Sequence, residues 1–331
     1  MRVAVLGAGA IGALLGARLA QGGCDVVLIA RGEQLDALRA HGVRVVSDDG
    51  DVVVRTTATD ELEAVRDADA VIVALKAYSL PAIAPRLGAL LAPGTPTVWA
   101  QNGIPWWYFQ GHGGSLDGLC LESVDPGGVI AASIPPGSAI GAVVYIAAEL
   151  ERPGVVRLVE GRRISLGQPD RSSGDRAAAV SEALAAGGLR APVAEDLRPE
   201  IWLKLLGNAT FNPISALTGA TLAQLGELAD MRALLLETFR EIAGIARALG
   251  LELPVSLERR LEAGIAVGNH RTSMLQDLEA GKPLEHACMT GALVEIARRL
   301  GVDAPRVETL AACVALLDRR AQWKGCRSGP R

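Results

Sequence analysis

The chain is short of the residues that staple, ligate or grip. Its five cysteines, Cys24, Cys120, Cys288, Cys313 and Cys326, lie far apart, with no Cys-x-x-Cys pair and no histidine spacing that suits zinc. That argues against a disulfide framework and a cysteine-built metal centre. No metal is expected, and the thiols read as packing or surface groups of a reducing compartment. Basic charge is not in surplus: 33 Lys and Arg stand against 37 Asp and Glu, a net of −4. The densest basic cluster, 157–163, is short and broken by Glu160, so no nucleic-acid partner is expected, since that needs a basic stripe. Long apolar runs are missing too. Nothing approaches the roughly 18 residues without Gly, Pro or charge that a membrane span takes, so no membrane partner is expected. The opening run over 3–6 is too short for a secretion signal, and the expected address is the cytoplasm.

What is present is hydrophobic bulk and glycine. Half of the 331 residues are hydrophobic and 38 are glycine, enough for two domains with their own cores. The first half alternates strand and helix. Residues 2–6 form an apolar β-type run, 11–21 show helical periodicity closed by Gly22-Gly23, and 25–30 form a second strand. This βαβ unit implies a parallel sheet. Further strands are predicted at 43–46 and 52–55 across the turn Asp48-Asp49-Gly50-Asp51, at 69–75, at 97–100, at 141–148 and at 155–158. The run 69–75 is apolar nearly throughout, as a strand buried on both faces should be. A polar, turn-rich stretch at 168–175 then reads as a linker. Beyond it the pattern is helical, with helices predicted at 176–186, 199–211, 227–249, 256–266, 273–279, 284–300 and 305–319. The fold class is therefore α/β: an N-terminal Rossmann domain over 1–170 and an all-helical domain over 171–331. The polar tail 324–331 is expected to lack regular structure. A long helical run such as 227–249 suits a homodimer face and an internal helix equally.

Chemistry concentrates first at Gly7-Ala8-Gly9-Ala10-Ile11-Gly12. The pattern follows a strand directly and opens a helix, the context a dinucleotide-binding turn requires. Gly7 permits the tight turn, Gly9 lets the backbone approach a pyrophosphate, and Gly12 lets the helix pack close to the strand. The helix N-terminus then favours the phosphates. At the end of the second strand, where a carboxylate would hold a ribose 2′-hydroxyl, the chain has Ala30-Arg31-Gly32. A guanidinium there suits a 2′-phosphate, which points to NADP(H) rather than NAD. Lys76, after the strand 69–75, and Gln101-Asn102-Gly103, after 97–100, fall where an open parallel sheet binds its ligand, although Asn-Gly also marks an ordinary turn.

In the helical half, Lys204, Asn208 and Asn212 are spaced i, i+4, i+8 among Ile201, Leu205, Leu206 and Phe211. A lysine and two asparagines in apolar company are unusual for a solvated face. Pro213 should end or kink that helix at Asn212. A second set holds Ser273 and, past the Lys282-Pro283 turn, Glu285. Taken singly, each reads first as a helix cap or a surface charge.

Taken together in chain order, these residues resemble the ketopantoate reductase (2-dehydropantoate 2-reductase) family. The resemblance runs from Met1 to about Val314. It is carried by Gly7-x-Gly9-x-x-Gly12, Arg31, Leu75-Lys76, Gln101-Asn102-Gly103, Lys204-x3-Asn208-x3-Asn212-Pro213 and Ser273-Met274-x-Gln276-Asp277 with Glu285 beyond. It implies a Rossmann domain, a helical domain and an active site in the cleft between them. By the same resemblance, Arg31 and Lys76 meet the adenosine 2′-phosphate of NADPH, and Asn102 lies near the nicotinamide and the substrate. Lys204 is the catalytic acid. Asn208, Asn212, Ser273 and Glu285 bind the carboxylate and hydroxyl groups of a 2-oxo acid. The implied reaction is reduction of 2-dehydropantoate to pantoate, in pantothenate biosynthesis. Two departures keep other readings open. Ala287 stands two positions after Glu285, where the family often has an acid. Four of the chain's eleven aromatic rings crowd into Trp106-Trp107-Tyr108-Phe109, which would line a pocket, cover the nicotinamide or bury an oligomer interface. A related reductase of another 2-oxo acid, ketone or imine is one alternative. A non-catalytic NADP-binding regulator is another.

Overall fold

The structure, a computed structural model, describes residues 1–172 and 174–327. The chain divides into two compact units. One holds Met1–Gln101, Pro105–Cys120 and Gly127–Leu197, and the other holds Asn102–Ile104, Leu121–Pro126 and the residues from Arg198 onward.

The first unit is built on a nine-stranded mixed sheet. In chain order its elements are β1 (Arg2–Leu6), α1 (Ala10–Gln21), β2 (Asp25–Ile29), α2 (Gly32–His41), β3 (Val43–Val46), β4 (Val52–Val54) and β5 (Thr57–Thr59). Next come β6 (Ala70–Val73), α3 (Leu80–Leu90), β7 (Thr97–Trp99), α4 (Val129–Ser133), β8 (Ala139–Arg152), β9 (Val155–Gly167) and α5 (Asp175–Ala186). The strand order is β4-β3-β9-β8-β7-β6-β1-β2-β5. β1, β2 and β6 are nearly pure runs of Val, Ile, Leu and Ala, the composition that parallel strands covered on both faces require. Leu6 lies opposite Ile29 on one side and Val73 on the other, and Val73 lies opposite Trp99. This register levels the carboxyl ends of β2, β1, β6 and β7 along one edge, so the residues just past each strand gather there. From α1, Leu14, Leu15 and Leu19 enter the core with at most 1% exposure, each contributing about 1.5–3 kcal/mol.

The two long strands exceed their predicted lengths. Glu149 to Arg152 of β8 pair with Val155 to Arg157 of β9, and Glu160 to Arg163 of β9 lie opposite Tyr145 to Ala147 of β8; both stretches carry exposed charge, so no apolar alternation marks them. β5, three residues of Thr-Ala-Thr, is likewise silent in hydrophobicity. The unit boundary falls at Leu197/Arg198, later than the change of texture at 168–175. The reason is α5, which is helical like the second unit but packs back on α1. Gly187 lies so close that an added Cβ would sit 2.0 Å from the Arg18 carbonyl oxygen.

The second unit contains α6 (Arg198–Asn208), α7 (Phe211–Thr218), α8 (Leu222–Leu225), α9 (Ala229–Ala248), α10 (Leu257–Ile265) and α11 (Ser273–Glu279). A π-helical turn, Ala287–Gly291, then leads into α12 (Ala292–Leu300) and α13 (Pro305–Arg327). Leu235, Phe239, Ile242 and Ile245 form a fully buried stripe at helical spacing along α9. Side chains close the orphan N–H groups at several helix starts: Thr221 in a capping box, Ser256 and Thr272 as N-caps, and Glu241 accepting from the backbone of Arg306 and Val307 at the head of α13.

Three predicted elements change here. The helix predicted over 199–211 breaks at Ala209-Thr210, ahead of the proline. Pro213 instead sits in the first turn of α7, where its missing N–H leaves no helical bond unmade. The helix predicted over 284–300 begins only at Ala287, after an irregular stretch through Glu285. α13 runs on to Arg327, through part of the tail, and 328–331 lie outside the described residues. Among the described residues no helix is long and apolar enough to cross a membrane.

Candidate active site

The glycine turn has the form its sequence demands. Gly7 adopts φ +98°, the left-handed region, and its N–H donates to the Ile29 carbonyl at 3.1 Å. A Cβ at Gly12 would lie 2.0 Å from the Gly7 carbonyl oxygen, so that position admits only glycine. Gly9 differs: its φ is an ordinary −72°, and a Cβ there would enter open space. None of the described residues requires glycine at this position, whereas a ligand lying against the backbone would. Gly9 is also the N-cap of α1 and offers no side-chain cap, which leaves the first-turn N–H groups of Ala10, Ile11 and Gly12 turned toward that space. The turn therefore fits a dinucleotide pyrophosphate. Ala8 is buried beneath it, and its carbonyl accepts from Gln34 Nε2 at 2.7 Å. Gln34 Oε1 in turn accepts from the Gly154 N–H at 2.8 Å, which ties the turn, α2 and the β8–β9 connection together. Gln34 carries no motif signal, and sequence reasoning missed it.

Arg31 is exposed at the carboxyl end of β2 and is the N-cap of α2. Lys76 is partly buried just beyond β6. Both lie at the edge where β1 delivers Gly7. Gln101 has a different task from the ligand-facing one its position suggested. Its Nε2 donates to the carbonyls of Val73 and Leu75 at 2.7 and 3.1 Å, fixing the end of β6 next to Lys76.

The remaining candidates, Asn102, Lys204, Asn208, Asn212, Ser273 and Glu285, all belong to the second unit. Asn102 is there because of Gly103. That residue has φ +85°, and a Cβ on it would lie 2.4 Å from the Cys288 carbonyl oxygen. The same carbonyl accepts from the Ile104 N–H at 2.8 Å, and the Cys288 thiol faces the Asn102 carbonyl at 3.4 Å. The Asn-Gly pair is thus a turn docked onto the π-helical turn, and Cys288, read from sequence as packing, is the peg that holds it.

Lys204 lies on α6, partly buried. Burial pushes its ammonium down to about 8, against an opposing pull from the Glu285 carboxylate. Glu285 is itself buried. A lysine and a glutamate far apart in sequence are therefore electrostatically coupled inside one unit. Asn208 closes α6, and Asn212 sits in the first turn of α7, so the i, i+4, i+8 row is not one continuous helix face. Asn212 is only 7% exposed, yet among the described residues the side-chain amides of Asn102, Asn208 and Asn212 make no hydrogen bond to the protein. Asn102 and Asn208 are only partly buried; an amide as covered as that of Asn212 is best satisfied by a ligand or water. Ser273 is exposed at the first position of α11, and the cap it was a candidate for is supplied by Thr272, whose hydroxyl accepts from the Leu275 N–H at 3.3 Å. Its own hydroxyl is left for other use. Ala287 is exposed at the start of the π-helical turn.

The aromatic segment is spent on the core of the first unit. Trp106, Trp107, Tyr108 and Phe109 are each at most 3% exposed. Trp106 meets Trp99 edge to face at 5.3 Å, Tyr108 meets Phe109 at 4.8 Å, and the Trp107 ring occupies the place a Cβ on Gly141 would take.

A glycine cradle at a parallel-sheet edge and a partly buried lysine coupled to a carboxylate define the protein as an NAD(P)-dependent oxidoreductase. The chain belongs to the ketopantoate reductase family. The family model "Ketopantoate reductase PanE/ApbA" matches residues 3–171, and "Ketopantoate reductase PanE/ApbA C terminal" matches 196–318. The chain is 43% identical to the 2-dehydropantoate 2-reductase of Mesorhizobium japonicum, over 99% of this chain and all of that one. It is 30% identical to the enzyme of the same name from Halobacterium salinarum, over 96% and 99%. Among solved structures, the 2-dehydropantoate 2-reductase of Geobacter metallireducens GS-15 superposes with a TM-score of 0.84 at 26% identity, covering 96% of this chain and 99% of that one.

Proposed function

We propose that this protein reduces 2-dehydropantoate to pantoate with NADPH. The observation that carries the reading is Lys204, a partly buried ammonium lowered to about 8 and coupled to the Glu285 carboxylate, with the amides of Asn102, Asn208 and Asn212 in the same unit. NADPH, when bound, supplies the hydride. Gly7, Ala8, Gly9, Ala10, Ile11 and Gly12 would hold its pyrophosphate, and Arg31 with Lys76 would take the 2′-phosphate as charge-assisted hydrogen-bond donors.

Reduction places negative charge on the ketone oxygen. The Lys204 Nζ–H stabilises that charge and gives its proton to the oxygen as the C–O double bond becomes a hydroxyl. Lys204 is left neutral and recovers a proton from water. Its lowered proton affinity makes it a stronger acid than an exposed lysine while leaving it mostly protonated at pH 7. The amides of Asn102, Asn208 and Asn212 and the Ser273 hydroxyl donate to the substrate's carboxylate and carbonyl oxygens without competing for that proton. Glu285 accepts from the substrate's hydroxyl and disfavours a second anionic group at that end.

The test is a steady-state assay of the purified enzyme on 2-dehydropantoate and a panel of other 2-oxo acids, with NADPH and NADH side by side. Saturable turnover with 2-dehydropantoate and a lower KM for NADPH than for NADH are expected. Turnover thousands of times weaker than on another acid of the panel would remove the substrate assignment. Equal use of both cofactors would remove the roles given to Arg31 and Lys76.

A further inference from the structure

Glu285 sits in a stretch that neither helix nor strand holds: residues 282–286 are irregular, between the end of α11 and the π-helical turn. A side chain meant to meet a substrate hydroxyl at a fixed place needs its backbone fixed by something else. On the C-terminal side the π-helical turn does this. The His286 carbonyl accepts from Met289 N–H and Gly291 N–H at 3.2 and 3.1 Å, and the Cys288 thiol lies 3.5 Å from the Glu285 carbonyl. On the N-terminal side the Lys282 N–H donates to the Asp277 carbonyl at 2.8 Å, and the residue next to Glu285 is held by a side chain. Asp318, on α13, accepts the Leu284 N–H through Oδ1 at 2.9 Å. Its Oδ2 accepts from Gln322 Nε2, one helical turn on, at 3.0 Å, and faces His286 Nε2 at 3.7 Å. That last distance is too long for a hydrogen bond, so the imidazole is a packed neighbour. Burial lowers its proton affinity, against the pull of Asp318 and with the push of Arg319. Asp318 is 8% exposed, a buried carboxylate that bonds one residue flanking Glu285 and packs against the other.

We infer that Asp318 is a positioning residue for the keto-acid site: it accepts the Leu284 N–H, packs beside His286, and so sets where the Glu285 carboxylate stands. The inference rests on the substrate-binding role proposed above for Glu285. A carboxylate that merely closed a helix-to-loop contact would affect stability alone. One that aims Glu285 affects the affinity for the keto acid selectively.

The experiment is a double-mutant cycle on the full-length enzyme, reading KM for 2-dehydropantoate, KM for NADPH, kcat and the melting temperature. Asp318→Ala is expected to raise the keto-acid KM about tenfold and to leave the NADPH KM within about twofold. Asp318→Asn, whose side-chain carbonyl still accepts from Leu284, is expected to recover most of that loss. In a Glu285→Gln background Asp318→Ala should add nothing further, because the group it aims is already gone. Full additivity of the two changes, or an equal rise in both KM values, would overturn the inference and leave the role of Glu285 standing. A Glu285→Gln variant with wild-type kinetics would overturn that role and the inference together. If the alanine variant does not fold, Asp318→Glu carries the test: its acceptor is displaced by one methylene, and an unchanged keto-acid KM in a folded protein overturns the proposal.

Discussion

At the scale of single residues, the two glycines of the nucleotide turn separate structure from binding. Gly12 answers to the protein, since its Cβ would meet the Gly7 carbonyl at 2.0 Å, whereas Gly9 answers to nothing within 4 Å. Gly12→Ala should therefore cost about 2–4 kcal/mol of stability. Gly9→Ala should cost less than about 1 kcal/mol yet weaken NADPH binding at least about tenfold. Thermal melts and fluorescence titrations of both variants read the contrast, and equal effects of the two on both measurements would contradict it. Lys204 carries a second expectation. Its ammonium form is the acid, and burial lowers its value to about 8. The rate of ketone reduction should thus be flat below neutrality and fall as pH rises through about 8, while oxidation of pantoate should rise over the same interval. Lys204→Ala should lower kcat by about 10²–10⁴ and abolish that inflection. A pH–rate profile in both directions settles it.

At the scale of elements, legibility in the sequence tracked the physics of each segment. β1, β2 and β6 could be read because burial on both faces demands unbroken apolar runs, and α9 because one buried stripe repeats at helical spacing. The polar outer halves of β8 and β9 and the three residues of β5 bury too little to leave a pattern. The breaks were misread for a related reason. Pro213 announces a stop in a helix but is equally suited to a first turn, and only the packing of α7 decides between them. The candidate site was legible as a set of residue types. The supports were not, because Gln34, Cys288 and Asp318 act through hydrogen bonds to backbone that no spacing rule anticipates. Glu295 on α12 is another such support. It accepts from the N–H groups of Glu122 and Ser123 at 3.0 and 2.9 Å and from the Ser123 hydroxyl at 2.8 Å. Burial raises its proton affinity, but these donors and Arg299 outweigh that and hold it below the ordinary 4.5. A depressed carboxylate contributes stability above its unfolded value and loses it as pH falls through the folded one. Glu295→Gln should therefore destabilise the protein by about 1–3 kcal/mol at pH 7, and the gap to the parent should narrow below about pH 4.5. Urea titrations at several pH values measure this, and a constant gap down to pH 3 would refute it.

At the scale of the whole molecule, the two units divide the chemistry: a nucleotide cradle in one, the lysine, amides and glutamate in the other. The first is drawn from residues up to Leu197, with two short segments given away. The second completes itself only with those segments, Asn102–Ile104 and Leu121–Pro126. A fragment ending at residue 197 should therefore bind NADPH and turn nothing over, whereas a fragment beginning at 198 should melt well below the whole chain, since Glu295 and Cys288 lose their partners. Calorimetry and cofactor titration of the two fragments test this, and a cooperative melt of the second fragment at the parent temperature would contradict it.

The docked Asn-Gly turn also sets a clock. Ile104 and Leu121 are almost wholly buried in the finished protein, but Cys288, which accepts the Ile104 N–H, and Glu295, which accepts the N–H beside Leu121, are made much later in synthesis. At ribosomal speeds of about 5–20 residues per second, the Asn102 turn waits roughly 10–40 s for its peg. During that interval the nascent chain carries two apolar segments with no mate, which marks the period when it most needs shielding from its neighbours.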